Sequence, residues 1–246
     1  MHDSLASIPV PSMTVISIPG VANLRDVGGI PVGADRVRGG RLLRSGQLAR
    51  LTPEGEMLLR ERVDRVVDLR DDSEVTAEPS ALTDVSTVRI PLFLGSAASF
   101  FDEDMDLAGM YRHLVYDASD RLAEAVRVIA AGESTLVHCT VGKDRTGVTV
   151  ALALSAVGAD RDAVVADYAL TASQLPAARN RAVIEYFRAH LPDARHAIQL
   201  ATESPAPVMA ELLTEIDERY GSAAEYLRDA GLSGRELDAL RAALVE

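Results

Sequence analysis

The chain reads as an α/β protein with a central, mostly parallel sheet flanked by helices and additional helices after the last strand. Three observations predict this. Short apolar runs at residues 65–69 (RVVDL), 87–92 (TVRIPL) and 135–138 (TLVH) have the length and β-branched content of buried strands. The last run passes at once into a polar, glycine-containing loop and then into residues 148–157, which are apolar nearly all round and so form a buried helix. After Gly158 only helical patterns follow.

In chain order, residues 1–20 carry Pro9, Pro11 and Pro19 among scattered serines and read as an irregular lead-in. Residues 23–29 (NLRDVGG) end in paired glycines and suggest a turn braced by Arg25 and Asp26, and residues 41–44 suggest a short strand. Thr52-Pro53-Glu54 is a helix start: a capping hydroxyl, proline at the first position, then acids, with the helix ending near Arg62. Residues 106–131 show helical spacing in two stripes, Leu107, Met110, Tyr111, Leu114 and Val115, then Leu122, Val126 and Ile129. Further helices are expected at 160–170, 172–191 and 207–220, with two short ones to the end. Residues 21–246 then make one domain, in which 160–205 is a helical lid. Tyr168, Leu175, Tyr186 and Phe187 read as helix packing.

Composition bounds the function. With 246 residues, 48% hydrophobic and 25% charged, the chain is a folded globule. A net charge of −12 argues against a nucleic-acid partner, which needs a basic footprint, yet leaves room for a local cationic pocket. No apolar stretch is long enough for an integral membrane segment, and no basic-then-apolar signal peptide opens the chain, so a cytoplasmic location is expected. The single cysteine excludes an internal disulfide and a multi-cysteine zinc site. His190 and His196 lack a third ligand and read as surface residues, so no metal is expected. Of 25 basic residues only Lys143 is lysine, and it lies four positions after the only cysteine, Cys139.

That loop, HCTVGKDRTG at 138–147, carries the chemistry. Cysteine and arginine separated by five residues suit a tight turn whose backbone N–H groups face inward as an anion nest. The following helix aims its N-terminus at the same point. A cysteine in that field is favoured as thiolate, the form that attacks phosphorus to give a cysteinyl phosphate. The Arg145 fork matches two phosphate oxygens, Gly142 lets the backbone turn, Lys143 adds a second cation, and Thr146 can bond the sulfur. Thr140, Val141 and Asp68 complete the substrate-binding set with His138, whose ring either hydrogen-bonds the loop and holds the thiolate or has a plain structural role. Two cations and the amide dipoles do the neutralisation that kinases assign to magnesium, so no cofactor is needed. The ordinary fate of a free cysteine is a small core residue, and the full C-x5-R-T context weighs against it here. Gly142-Lys143 resembles the end of a Walker loop, but Val137 stands where its first glycine belongs and Asp144 replaces Ser/Thr. A rhodanese-like sulfurtransferase and a non-catalytic phosphate-binding module are the alternatives of a different class.

HCTVGKDRTG resembles the loop of bacterial protein tyrosine phosphatases of the mycobacterial protein tyrosine phosphatase B type. NLRDVGG, LLRSGQL at 42–48, VVDLRDDSE at 66–74 and the tail from Tyr220 are similar to that family's other motifs, in the same order. The resemblance implies a dual-specificity-phosphatase-like sheet with extra lid helices. It also implies a substrate that is a phosphorylated protein, chiefly at tyrosine with serine and threonine in some members, or a phosphoinositide. For the leaving-group proton it points to Asp144, whose bland reading is a salt bridge within the loop. Asp68, at a strand end facing the site, is the second candidate, or it orders the loop by hydrogen bonding. The acidic run Asp102, Glu103, Asp104 and Asp106 is the third, although such runs are usually solvated faces. Arg70 is expected to reach a phosphorylated ligand or to pair with Asp71 or Asp72.

Overall fold

In the computed structural model, which describes residues 14–92, 105–191, 193 and 195–246, the apolar runs become the centre of a six-stranded sheet. Its strands are β1 (Thr14–Val15), β2 (Arg25–Asp26), β5 (Leu42–Ser45), β6 (Arg65–Asp68), β7 (Ser86–Arg89) and β8 (Thr135–His138), in the order β1-β2-β5-β8-β6-β7. β5, β8, β6 and β7 are parallel, while β1 and β2 add antiparallel at one edge. A separate hairpin joins β3 (Pro31–Val32) to β4 (Asp35–Arg36). Residues 1–13 of the lead-in and Asp102, Glu103 and Asp104 of the acidic run lie outside the described residues.

Alternation along the strands builds a core on each face of the sheet. Leu42, Val67 and Val137 point to one side, and Leu43, Val66 and Leu136 to the other. The smaller core closes under α1 (Pro53–Arg60), capped by the Thr52 hydroxyl on Gly55 N at 3.1 Å. The larger core contains α3 (Leu107–Asp117), α4 (Ser119–Ala130), α5 (Asp144–Ala156), α6 (Arg161–Gln174), α9 (Ala206–Tyr220), α10 (Ala223–Asp229) and α11 (Gly234–Leu244). Every residue of α5 from Arg145 to Leu154 is buried, as its all-round apolar character requires.

The structure departs from the sequence reading at a few boundaries. The helix expected over 172–191 is two: α6 runs on to Gln174 and α7 (Ala177–His190) starts after Pro176. Leu175 precedes a proline and is extended, at ψ 134, which stops the first helix. A short α2 (Asp72–Ala77) and α8 (Ala197–Thr202) were not expected; each is barely two turns and too short to show a periodic stripe. Residues 25–26, read as part of a turn, pair as a strand before it. Asp26 does brace that turn, accepting from Gly28 N at 2.8 Å and Gly40 N at 2.6 Å. No residue of α7 is buried, and its main packing partner is α8.

The feature that positions a site is register. Ser45, His138 and Asp68 are aligned partners at the ends of three parallel strands. The segments that follow therefore open at one edge, the carboxyl edge where open α/β sheets bind ligands. One contact holding the C-terminal helices to the core is buried: the Tyr226 hydroxyl on α10 donates to the Val115 carbonyl on α3 at 2.6 Å. Tyr226→Phe should cost about 1 kcal/mol, read as a lowered midpoint in urea.

Candidate active site

Cys139 follows β8 directly and is 2% exposed. The loop from Cys139 then turns into α5, whose N-cap residue, Lys143, makes no side-chain cap. No cap side chain covers the first-turn N–H groups of α5, as an anion site at a helix N-terminus requires. Gly142 makes the turn possible. Its φ is +70°, and a Cβ there would meet the Ser45 carbonyl oxygen at 2.2 Å. The loop is pressed against the end of β5 with no room for a side chain.

Arg145, on the first turn of α5, is 6% exposed and held by Glu74. Its Nη1 and Nη2 donate to the two Glu74 carboxylate oxygens at 2.6 and 2.7 Å, and Nη1 also reaches the Leu69 carbonyl at 3.3 Å. Glu74 also accepts from the Thr140 hydroxyl and the Asp71 N–H, the latter through the capping box that starts α2. Burial would raise the Glu74 carboxyl, but the Arg145 bonds and charge and these two further donors outweigh it and hold it at about 2. Glu74 was missed as a site residue. A signal was present in VVDLRDDSE as a capping pair three residues apart, Asp71 and Glu74, and the sequence reading did not pick it out.

Asp144 and Lys143 face a different neighbourhood. Lys143 is fully buried; its Nζ forms an ion pair with Asp144 Oδ1 at 2.9 Å and donates to the Glu203 carbonyl, at the end of α8, at 2.7 Å. The Tyr111 hydroxyl donates to the same Oδ1 at 2.8 Å, and Tyr168 lies 2.6 Å further along. Both of these contacts to the Asp144 carboxylate fall on Oδ1. Tyr111 and Tyr168 are pushed well above the usual phenol range, first by burial and then by the Asp144 charge, and stay neutral donors. They were read as packing residues, because a buried tyrosine on an apolar stripe looks the same in sequence whether or not its hydroxyl serves a site.

The remaining candidates separate clearly. His138 is fully buried, and its Nδ1 lies 3.2 Å from the Cys139 carbonyl, which can only accept, so Nδ1 carries the proton. Burial lowers its pKa more than the nearby Asp68 raises it, so the ring is neutral. Asp68 is spent on Arg70, accepting from Nε at 3.0 Å and Nη2 at 2.8 Å. Burial raises the Asp68 carboxyl, but the Arg70 bonds and charge bring it below its ordinary value. Arg70 is fully buried and pairs with Asp68 rather than with Asp71 or Asp72; its Nη1 goes on to the Glu78 carbonyl at 2.7 Å and Gln47 Oε1 at 3.2 Å. Thr146 is buried with its hydroxyl unpartnered among the described residues, so the expected bond to the Cys139 sulfur is not made here. Asp106 caps α3 through Gly109 N at 2.7 Å. Beside the loop, Thr140 and Val141 line a cavity of about 420 Å³ with Gln47, Arg50, Leu175, Pro176, Ala178 and Arg179 among its walls.

The Glu74 carboxyl gives a pH signature. A depressed folded-state value means that the stabilisation is complete above the ordinary carboxylate value near 4.5 and is lost as pH falls through about 2. Between those limits the melting temperature of the wild type should fall with acid more steeply than that of Glu74→Gln, whose amide does not titrate. Parallel slopes would show that the Glu74–Arg145 pair is not formed in solution.

The Y_phosphatase3 model of the tyrosine phosphatase family matches residues 16–246. The triple specificity protein phosphatase PtpB of Mycobacterium tuberculosis is 31% identical over 284 aligned residues, covering 95% of this chain and all of that protein. A Cupriavidus necator protein assigned to the tyrosine-protein phosphatases is 32% identical over 224 residues, covering 85% of this chain and 81% of its own length. The crystal structure of Pseudomonas aeruginosa TpbA aligns over 79% of this chain and 97% of that one, with 19% identity and a TM-score of 0.37. With a family match that spans all but the lead-in and a full-length relative at 31% identity, the chain belongs to the tyrosine phosphatase family and is a phosphatase that acts on phosphorylated substrates.

Proposed function

We propose that Cys139 is the nucleophile of a two-step hydrolysis of phosphate monoesters, with phosphotyrosine as the principal substrate. The observation that carries this is placement: the only cysteine sits at the carboxyl edge of a central strand, before an uncapped helix N-terminus, with Arg145 on that helix's first turn. In the first step Cys139 Sγ bonds to phosphorus as the P–O bond to the leaving group breaks. Asp144 gives the departing oxygen its proton. In the second step water attacks phosphorus, Asp144 takes its proton, and the thiolate leaves. Arg145 and the loop amides hold the equatorial oxygens, where charge accumulates in the transition state. Glu74 keeps the guanidinium aimed, and Lys143 and Tyr111 keep the Asp144 carboxyl in place.

The apolar wall of the adjoining cavity, Val141, Leu175, Pro176 and Ala178, supports an aromatic substrate ring. The triple specificity named for the mycobacterial relative supports a substrate range wider than phosphotyrosine, and we infer phosphoserine, phosphothreonine and phosphoinositide as the further substrates. We assign the lid to the α7–α8 hairpin within residues 160–205, because α7 buries no residue and overhangs this cavity through Ala178 and Arg179. Among the described residues no helix is long and apolar enough to cross a membrane.

Cys139→Ser should abolish turnover of a phosphotyrosine peptide and still bind inorganic phosphate; retained turnover would refute the mechanism. Acid quench of the wild type during turnover should trap phosphate on Cys139, read by mass spectrometry. Asp144→Asn should lose on the order of 10²- to 10⁴-fold in kcat with poor leaving groups and much less with an activated aryl phosphate. Equal losses with both would remove Asp144 from the acid role.

A further inference from the structure

NLRDVGG and LLRSGQL contribute residues that the reaction above does not use. Asn23, Arg25 and Arg44 are all buried, the two arginines completely, and they meet Asp167 of α6, which is 1% exposed. We propose that Asn23, Arg25, Arg44 and Asp167 form a positioning unit behind the phosphate loop, which turns the loop's amides toward the substrate phosphate by holding its carbonyls from the opposite side. This rests on the phosphatase reading and adds residues to it.

The geometry begins with the carbonyls. The Thr140 oxygen accepts from Gln47 N at 3.1 Å. Asn23 Nδ2 donates to the Val141 oxygen at 3.1 Å and the Gly142 oxygen at 2.9 Å, and Arg44 Nη2 donates to Gly142 at 2.9 Å. In a trans peptide the carbonyl and the following N–H point in opposite directions, and among the described residues no peptide is cis. Three consecutive carbonyls bound from behind thus send the N–H groups of Val141, Gly142 and Lys143 to the far side together. That is the nest a phosphate requires.

The rest of the cluster fixes the donors. Asn23 Oδ1 accepts from Arg25 Nη1, which settles the amide orientation and leaves Nδ2 for the carbonyls. Arg25 and Arg44 are aligned partners on β2 and β5, two like charges side by side in the interior. Asp167 binds both, through Arg25 Nε at 2.7 Å and Arg44 Nη1 at 2.5 Å, while Arg25 Nη2 takes the Asp167 carbonyl at 2.8 Å and the Thr171 hydroxyl at 3.0 Å. Burial, and then Arg44, lowers the Arg25 guanidinium to about 10, against the pull of Asp167.

Two cations on one carboxylate leave one positive charge buried, and Arg44 Nε has no partner among the described residues. A purely structural site has no use for that excess, because a buried unbalanced charge is costly. An anion held on the other side of the Gly142 peptide gives it one.

Asn23 has φ +59°, a conformation glycine adopts freely, so Asn23→Gly removes the side chain without backbone strain. Asn23→Asp keeps an oxygen for Arg25 but sets a carboxylate against two carbonyls. The test measures inhibition of the full chain by inorganic phosphate, with kcat, KM and melting temperature, alongside Tyr226→Phe as a destabilised variant whose lost hydrogen bond goes to Val115 and not to the loop. Asn23→Gly should weaken phosphate inhibition and lower kcat/KM on the order of 10- to 100-fold, and Asn23→Asp should do so more strongly. Tyr226→Phe should lower the melting temperature and leave phosphate inhibition unchanged. Wild-type phosphate inhibition in either Asn23 variant, with the wild type active, would overturn the positioning role alone. A wild type that neither hydrolyses phosphotyrosine nor binds phosphate would overturn both the role and the phosphatase reading beneath it.

Discussion

Three parallel strands ending in register constrain everything else in the structure. Because Ser45, His138 and Asp68 are aligned, the chain leaving each strand reaches the same edge of the sheet, and the loop from Cys139 has a wall on either side. The β5 side packs so tightly that Gly142 has no space for a Cβ. The β6 side delivers Leu69 and then α2, whose Glu74 grips Arg145. A slip of one residue in either pairing would turn the strand's alternation inside out and part the loop from its supports.

The electrostatics of the site follow from that crowding. The chain carries a net charge of −12, yet Arg25, Arg44, Arg70, Lys143 and Arg145 are all buried around one loop. Four carboxylates, Asp68, Glu74, Asp144 and Asp167, are distributed among them. The cations are therefore fixed in direction by their partners before any ligand arrives, so little reorganisation is needed at the moment of reaction. In the proposed mechanism such a site selects a dianion through oriented dipoles and a small charge excess, and a negative net charge on the chain is no obstacle.

Much of this was legible because it rests on local pattern. The strand at Thr135–His138, the loop after it and the buried helix follow from composition and spacing within some twenty residues. The Thr52 cap and the all-helical C-terminal part are local signals too. What was not legible is long-range pairing. Arg25 was read as a brace for its own turn, but its partner, Asp167, lies 142 residues away. Arg70 was assigned to the acids next to it and instead folds back on Asp68, a choice made by burial. The Tyr111 hydroxyl meets Asp144 only because α3 packs over the start of α5. Side chains that serve a site from a distant element leave no periodic trace, and only the packed structure names them.

The central proposal is that Cys139, 2% exposed at the foot of the loop, is the nucleophile reached through a phosphate-binding nest, and the most direct test uses the fact that it is the only cysteine. The rate of its alkylation by iodoacetate, an anionic reagent, should be measured at neutral pH with and without inorganic phosphate. The proposed mechanism predicts fast, saturable modification that phosphate blocks competitively, with activity lost in step. Slow modification indifferent to phosphate would show a cysteine sealed in the core, and would contradict the account.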